Sequence, residues 1–180
     1  ALAATPGPVE ALVASPQHTG GDSGEYCAIW LGPEMPGDQR ADDALSVVWE
    51  GDTLAQDCAI SGAPHVALRL MSDKPLGQIA VRLCHVHPDG ATTRITYGVL
   101  NLAHRNGHAR PEPLPVGEVV EVALDLDHIA YCVPAGHRLR LAVSNAYWPL
   151  LWPSPEAGQL TISGGYVDVP CVVRPRRDER

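Results

Sequence analysis

Nearly every apolar run in this chain is short and alternates with a period of two. In "EVVEVALDL", Val120, Val122, Leu124 and Leu126 fall on one face, and Glu121, Ala123 and Asp125 on the other. "HRLRLAV" sets Leu139, Leu141 and Val143 against Arg138, Arg140 and Ala142. "HVALRL" (Val66, Leu68, Leu70) and "IAVRL" (Ile79, Val81, Leu83) repeat the scheme. Successive side chains of a strand point to opposite faces, so this pattern predicts strands with one face in a core and the other toward water or a further layer. Turn signals punctuate the runs: Ser72-Asp73-Lys74-Pro75, Pro88-Asp89-Gly90, Pro115-Val116-Gly117 and Pro134-Ala135-Gly136. With 17 Gly and 17 Pro the chain has enough of both to join many short strands. No window of ten or more residues carries a 3.6-residue period. The expected fold is therefore all-β, a jelly-roll β-sandwich of antiparallel strands, because closed sheets are how many short strands bury one face.

Along the chain, 1–44 is expected to be an irregular lead-in packed on the sandwich, 45–169 the sandwich core, and 170–180 a tail. A 180-residue chain is most simply one domain. It can bury roughly 70% of its unfolded surface, so it needs neither disulfide nor metal to fold. With no Phe, the core must rest on Val, Leu, Ile and Ala. The net charge of −8 opposes a phosphate-tracking surface, and no nucleic-acid partner is expected. The only basic cluster, Arg174, Arg176, Arg177 and Arg180, is diluted by Asp178 and Glu179 and reads as a solvated terminus. No apolar run approaches the ~18 residues of a membrane span, and no signal peptide or membrane partner is expected. The cysteines Cys27, Cys58, Cys84, Cys132 and Cys171 are odd in number and form no CxxC. They read as reduced thiols of a cytoplasmic protein, Cys84 and Cys132 acting as small hydrophobes within strands.

Three stretches invite a chemical reading. "GDSG" (Gly21–Gly24) echoes the surroundings of a protease serine, but Ser23 lacks a defined base, acid and oxyanion hole, and a turn explains it. "CHVH" puts His85 and His87 on one strand face, a pair that can hold zinc. A third ligand is undefined, since His104 and His108 stand at no telling spacing, so no metal and no cofactor is expected. Asp125, Asp127 and Asp89 are oxygen ligands without the spacing of a calcium loop.

The segment "AGHRLRLAVSNAYWPLLWPSPE" (135–156) is the densest in signals. Gly136 supplies a tight turn, His137 opens a strand as a hydrogen-bonding structural residue, and Arg138 and Arg140 lie on its polar face, open to carboxylates. Tyr147, Trp148 and Trp152, joined by Tyr26 and Trp30, offer either a stacking platform for a sugar or a wall of a neighbour's pocket. The alternative is structural: Trp148 and Trp152 plug one end of the sandwich, stiffened by Pro149, Pro153 and Pro155. At least one indole would then be buried.

The runs "APHVALRLMSDKPLGQIAVRLCHVHPDG", "RITYGVLNLAHR" and "AGHRLRLAVSNAYWP", preceded by "SPQHTGGDSGEYC" and "PGDQRADD", follow one another in a recognisable order. Together, over about 9–169, they resemble the C-terminal domain of the X-Pro dipeptidyl-peptidase and cocaine-esterase family of serine hydrolases. The resemblance implies a galactose-binding-like jelly roll that accompanies an N-terminal α/β-hydrolase domain, the expected partner. It implies ester, amide or X-Pro peptide hydrolysis by the parent enzyme. No triad residue of the family maps onto these positions, so no catalytic residue is assigned and the chain alone is not expected to be an enzyme. Its expected role is to stabilise the hydrolase and help wall the active site. A free-standing carbohydrate-binding module is the alternative. Oligomeric state is not legible.

Overall fold

The computed structural model describes residues 10–25 and 35–172. Its strands are β1 (Ala11–Val13), β2 (Val47–Glu50), β3 (Cys58–Gly62), β4 (His65–Ser72), β5 (Gln78–Val86), β6 (Thr92–Asn101), β7 (Val119–Asp125), β8 (Ile129–Val133), β9 (Arg138–Ser144), β10 (Leu160–Asp168) and β11 (Cys171–Val172). The described helical pieces are a single turn, α1 (Arg40–Asp43), and a 3₁₀ turn at Leu102–His104. None is long and apolar enough to cross a membrane.

All pairings are antiparallel, and they nest: β5 with β6, β4 with β7, β3 with β8, β2 with β9, β1 with β10. That is one long hairpin rolled over on itself, the wrapping of a jelly roll. Further pairings of β10 with β4, β9 with β5 and β11 with β3 close it into sheets ordered β1-β10-β4-β7, β2-β9-β5-β6 and β11-β3-β8. Two segments read as lead-in and tail thus contribute strands, β1 and β11, to the sheets.

The alternating runs deliver the core. Val66, Leu68 and Leu70 of β4, Val122 and Leu124 of β7 with Leu126 just beyond it, Ile79, Val81 and Leu83 of β5, and Leu141 and Val143 of β9 meet in one buried cluster. β5 is unusual because its second face, Ala80, Arg82 and Cys84, is buried too, and Arg82 is held there by Gln39, Asp43 and Ser46, which precede β2. A bulge at Leu83/Cys84 opposes Leu83 to Thr96 but Cys84 to Arg94, leaving Ile95 as the extra residue of β6. The extra residue restores Arg94 to the face that carries Tyr97, and the Arg94 guanidinium stacks 4.4 Å from that ring's centre.

The cysteines Cys58, Cys84, Cys132 and Cys171 are free, while Cys27 lies outside the described residues, as do Tyr26, Trp30 and the terminal arginines. Cys84 is buried as expected, and desolvation pushes its thiol up to about 12. Cys132 is exposed: β8 buries Val133 and half-buries Tyr131, so Cys132 falls on the outward face.

Candidate functional site

The residues singled out in 135–156 occupy opposite ends of one strand pair. β5 and β9 run antiparallel with Ala80 facing Ser144 and Val86 facing Arg138. The turn before β9 therefore meets the end of β5, and the loop after β9 meets its beginning.

At the first end, His137 donates its backbone N–H to the Pro134 carbonyl across a turn in which Gly136 has φ of +84°. That conformation is strained for any residue with a Cβ, which is why glycine stands there. The strand register carries His85, His87 and His137 onto the core-facing side, so the stripe Ile79, Val81, Leu83 ends in imidazoles. His85 is buried, with its Nε2 2.6 Å from His137 Nδ1 and its Nδ1 3.0 Å from the Tyr131 hydroxyl of β8. His87 stacks on His85 with ring centres 4.0 Å apart, and its Nε2 lies 3.1 Å from Thr93 Oγ1. One ring nitrogen from each histidine falls within 4.8 Å of the others. Desolvation, then the neighbouring His87 and His137, holds His85 down to about 4, so it is neutral at physiological pH.

His137 is the third imidazole that sequence reasoning left undefined. Its signal was available: once β5 and β9 pair in antiparallel register, position 137 falls opposite 87. His104 and His108 instead lie beside each other, Nδ1 to Nδ1 at 3.1 Å, beyond the end of β6 that faces the start of β5. Arg138 and Arg140 point to the other side of β9. Arg138 pairs with Glu50, and Arg140 pairs with Glu50 and, at 2.7 Å, with Asp43.

The second end is built by the loop after β9 and by the segments that cover β5. Tyr147 is buried, and its hydroxyl accepts a hydrogen bond from Arg94 Nη1. Burial raises the Tyr147 pKa against the opposing pull of Arg94. Beside it Arg82, fully buried, donates to Gln39 Oε1 and Ser46 Oγ at 2.9 Å each and pairs with Asp43 at 3.0 Å. Trp148 donates its backbone N–H to the Thr19 carbonyl at 2.7 Å, and Gln78 Nε2 donates to the Trp152 carbonyl at 3.1 Å. Gly20 packs against the Tyr147 and Trp148 backbone, so closely that a Cβ would lie 2.3 Å from the Trp148 carbonyl oxygen. Its own N–H donates to the buried Asp42 carboxylate at 2.8 Å.

The backbone of this loop is thus held from three sides while its indoles are not. Trp148 is 42% exposed and Trp152 80% exposed. The expectation that one tryptophan plugs the sandwich is corrected: the plug is Tyr147, and the turn that follows it swings both indoles outward. Their rings meet edge-on, 5.7 Å apart at 70°, around a shallow depression shared with Gln17, His18 and Pro153. Rings so inclined give no parallel platform for a sugar face.

The other chemical candidates dissolve in the structure. Ser23 is buried and its hydroxyl donates to the Gly24 carbonyl at 3.1 Å, within a turn closed by Ser23 N–H to Gly20. Asp125 pairs with His65 at 2.7 Å, Asp89 accepts the Ala91 N–H within its own turn, and the Asp127 carbonyl takes the Thr96 hydroxyl. Among the described residues, these aspartates do not gather into one ligand set.

Comparison with known proteins gives a consistent result. The family model described as "X-Pro dipeptidyl-peptidase C-terminal non-catalytic domain" matches residues 3–174. The chain is 26% identical over 122 residues to the cocaine esterase of Rhodococcus sp. (strain MB1 Bresler), covering 66% of this chain and 21% of that protein. In fold it is similar to an α-amino acid ester hydrolase (TM-score 0.71, 18% identity, 76% of this chain and 27% of that one). It is also similar to an aminopeptidase from the marine sediment archaeon Thaumarchaeota archaeon (TM-score 0.75, 15% identity, 93% and 34%). The chain spans about a fifth of the length of the curated relatives it matches.

Proposed function

Since the chain belongs to the family of C-terminal non-catalytic domains of X-Pro dipeptidyl-peptidases, we propose that it acts as the accessory domain of a larger serine hydrolase that cleaves ester, amide or X-Pro peptide bonds. It stabilises an N-terminal α/β-hydrolase domain and helps wall the active site, and it takes no chemical part. The observation that carries this is the contrast within one loop: Trp148 and Trp152 are open to water, yet the backbone beneath them is locked by Thr19, Gly20 and Gln78. Large indoles presented on a rigid base are suited to a partner's surface, since each buries much apolar area at little further entropy cost. We place it in a reducing, cytoplasmic setting, the reading that an odd number of cysteines without a CxxC favours.

The test has two arms. The chain by itself is expected to leave p-nitrophenyl acyl esters and X-Pro amides at background, with Ser23→Ala no different. Activity abolished by Ser23→Ala would overturn the assignment. In the intact hydrolase, Trp148→Ser with Trp152→Ser is expected to lower thermal stability and turnover together. An intact enzyme indifferent to the double substitution would remove the docking role from this loop.

A further inference from the structure

We propose that His85, His87 and His137 form a binding site for a zinc-class divalent cation, with water in the remaining position. Three observations carry it. First, the register of β5 and β9 brings one nitrogen from each of the three rings within 4.8 Å of the other two. A tetrahedral zinc with Zn–N of about 2.0–2.1 Å needs its ligand nitrogens about 3.3 Å apart. His85 Nε2 and His137 Nδ1, at 2.6 Å, need only part by a fraction of an ångström to admit the ion between them.

Second, the far nitrogens are already oriented. His85 Nδ1 faces the Tyr131 hydroxyl at 3.0 Å and His87 Nε2 faces the Thr93 hydroxyl at 3.1 Å. Such outer partners fix ring orientation and leave His85 Nε2 and His87 Nδ1 as the remaining nitrogens, as metal-binding histidines require. Third, the burial is graded: His85 sits in the core wall while His87 and His137 are half-buried. The ion would have an entry path, and its fourth position would face water. Three imidazoles without thiolate or carboxylate suit zinc, copper or nickel over magnesium or calcium, which prefer oxygen. The sequence left the third ligand undefined, since His137 lies 50 positions beyond His87 and only strand pairing makes it a neighbour.

The site would pin the end of β5 to the turn before β9 and, through Tyr131, to β8. The experiment is zinc titration of the chelator-stripped chain by calorimetry, beside melting curves with and without zinc. One equivalent is expected to bind and to raise the melting temperature. His87→Ala and His137→Ala, both at half-exposed positions, are each expected to weaken zinc binding at least about tenfold, and Tyr131→Phe by about tenfold. Metal-free melting of His87→Ala should stay near that of the parent chain, which separates lost ligation from lost folding. His104→Ala is expected to bind zinc as the parent does, excluding the neighbouring His104–His108 pair. Cobalt offers a second readout: tetrahedral coordination gives visible absorption that the His87 variant should lack. No zinc binding by the parent chain, or equal binding by His87→Ala, would overturn the proposal.

Discussion

The two ends of the β5–β9 ladder spend their aromatic residues in opposite ways. At the histidine end the side chains are placed by strand alternation, and the rings face each other across paired backbones. At the tryptophan end the strand has stopped, and each ring goes where a loop sends it: Tyr147 inward, Trp148 and Trp152 outward. The histidine end is therefore a property of register, and the tryptophan end a property of what packs beneath the loop. That packing comes from far away in sequence, from Thr19, Gly20 and Asp42, and from Arg94 through the bulge in β6. An end built by register tolerates exchange of its side chains better than an end built by a single anchor.

This contrast can be broken most directly at Tyr147. Replacing it with Ala empties a fully enclosed ring site and leaves Arg94 without its hydroxyl partner. The expected loss is about 3–5 kcal/mol in urea denaturation, the range for large buried aromatics. A loss below 1 kcal/mol would mean that the loop is not anchored there. Gly20→Ala comes next. The residue has φ of +113° and no room for a Cβ against the Trp148 carbonyl, so strain and clash together should cost about 2–3 kcal/mol. Tryptophan emission should report the displaced loop in the native state. A neutral outcome would show that the lead-in merely rests on the sandwich.

At the histidine end, His85→Leu keeps the volume and removes both hydrogen bonds. Tyr131 and His137 are only half-buried and water can reach them, so a cost of about 1–2 kcal/mol is expected in metal-free buffer. A cost as large as that of Tyr147→Ala would erase the distinction between the ends. The smallest effects belong to the indoles. Trp152→Ala should cost less than about 0.5 kcal/mol in the chain by itself, as exposed positions do, and Trp148→Ala, at a ring more than half covered, about 1 kcal/mol. Their importance should emerge only in the intact hydrolase.

Where sequence and structure parted, the cause was nearly always a neighbour supplied by the fold. The faces of β4, β5, β7 and β9 were legible because alternation is a local signal. The second face of β5 was not, since nothing near Arg82 announces that Gln39, Asp43 and Ser46 will cover it. Arg140 was legible as a partner for carboxylates, but Glu50 and Asp43 became those carboxylates through the β2–β9 pairing and the helix turn before β2. Ala11–Val13 and Cys171–Val172 are too short to signal a strand by themselves and become strands only by joining β10 and β3.

The sequence by itself therefore determined the fold class, the core faces of the long strands, the glycine turn at 136 and, through five ordered motifs, the family. All of these rest on periodicity or on contiguous residues, and both are written along one dimension. The tertiary structure decided which ring of the aromatic loop is buried and which third imidazole joins His85 and His87. Those outcomes depend on register between strands separated by about 50 positions and on segments that fold back from the N-terminal side. A side chain's surroundings are fixed by what crosses it in space, and no local pattern encodes that crossing.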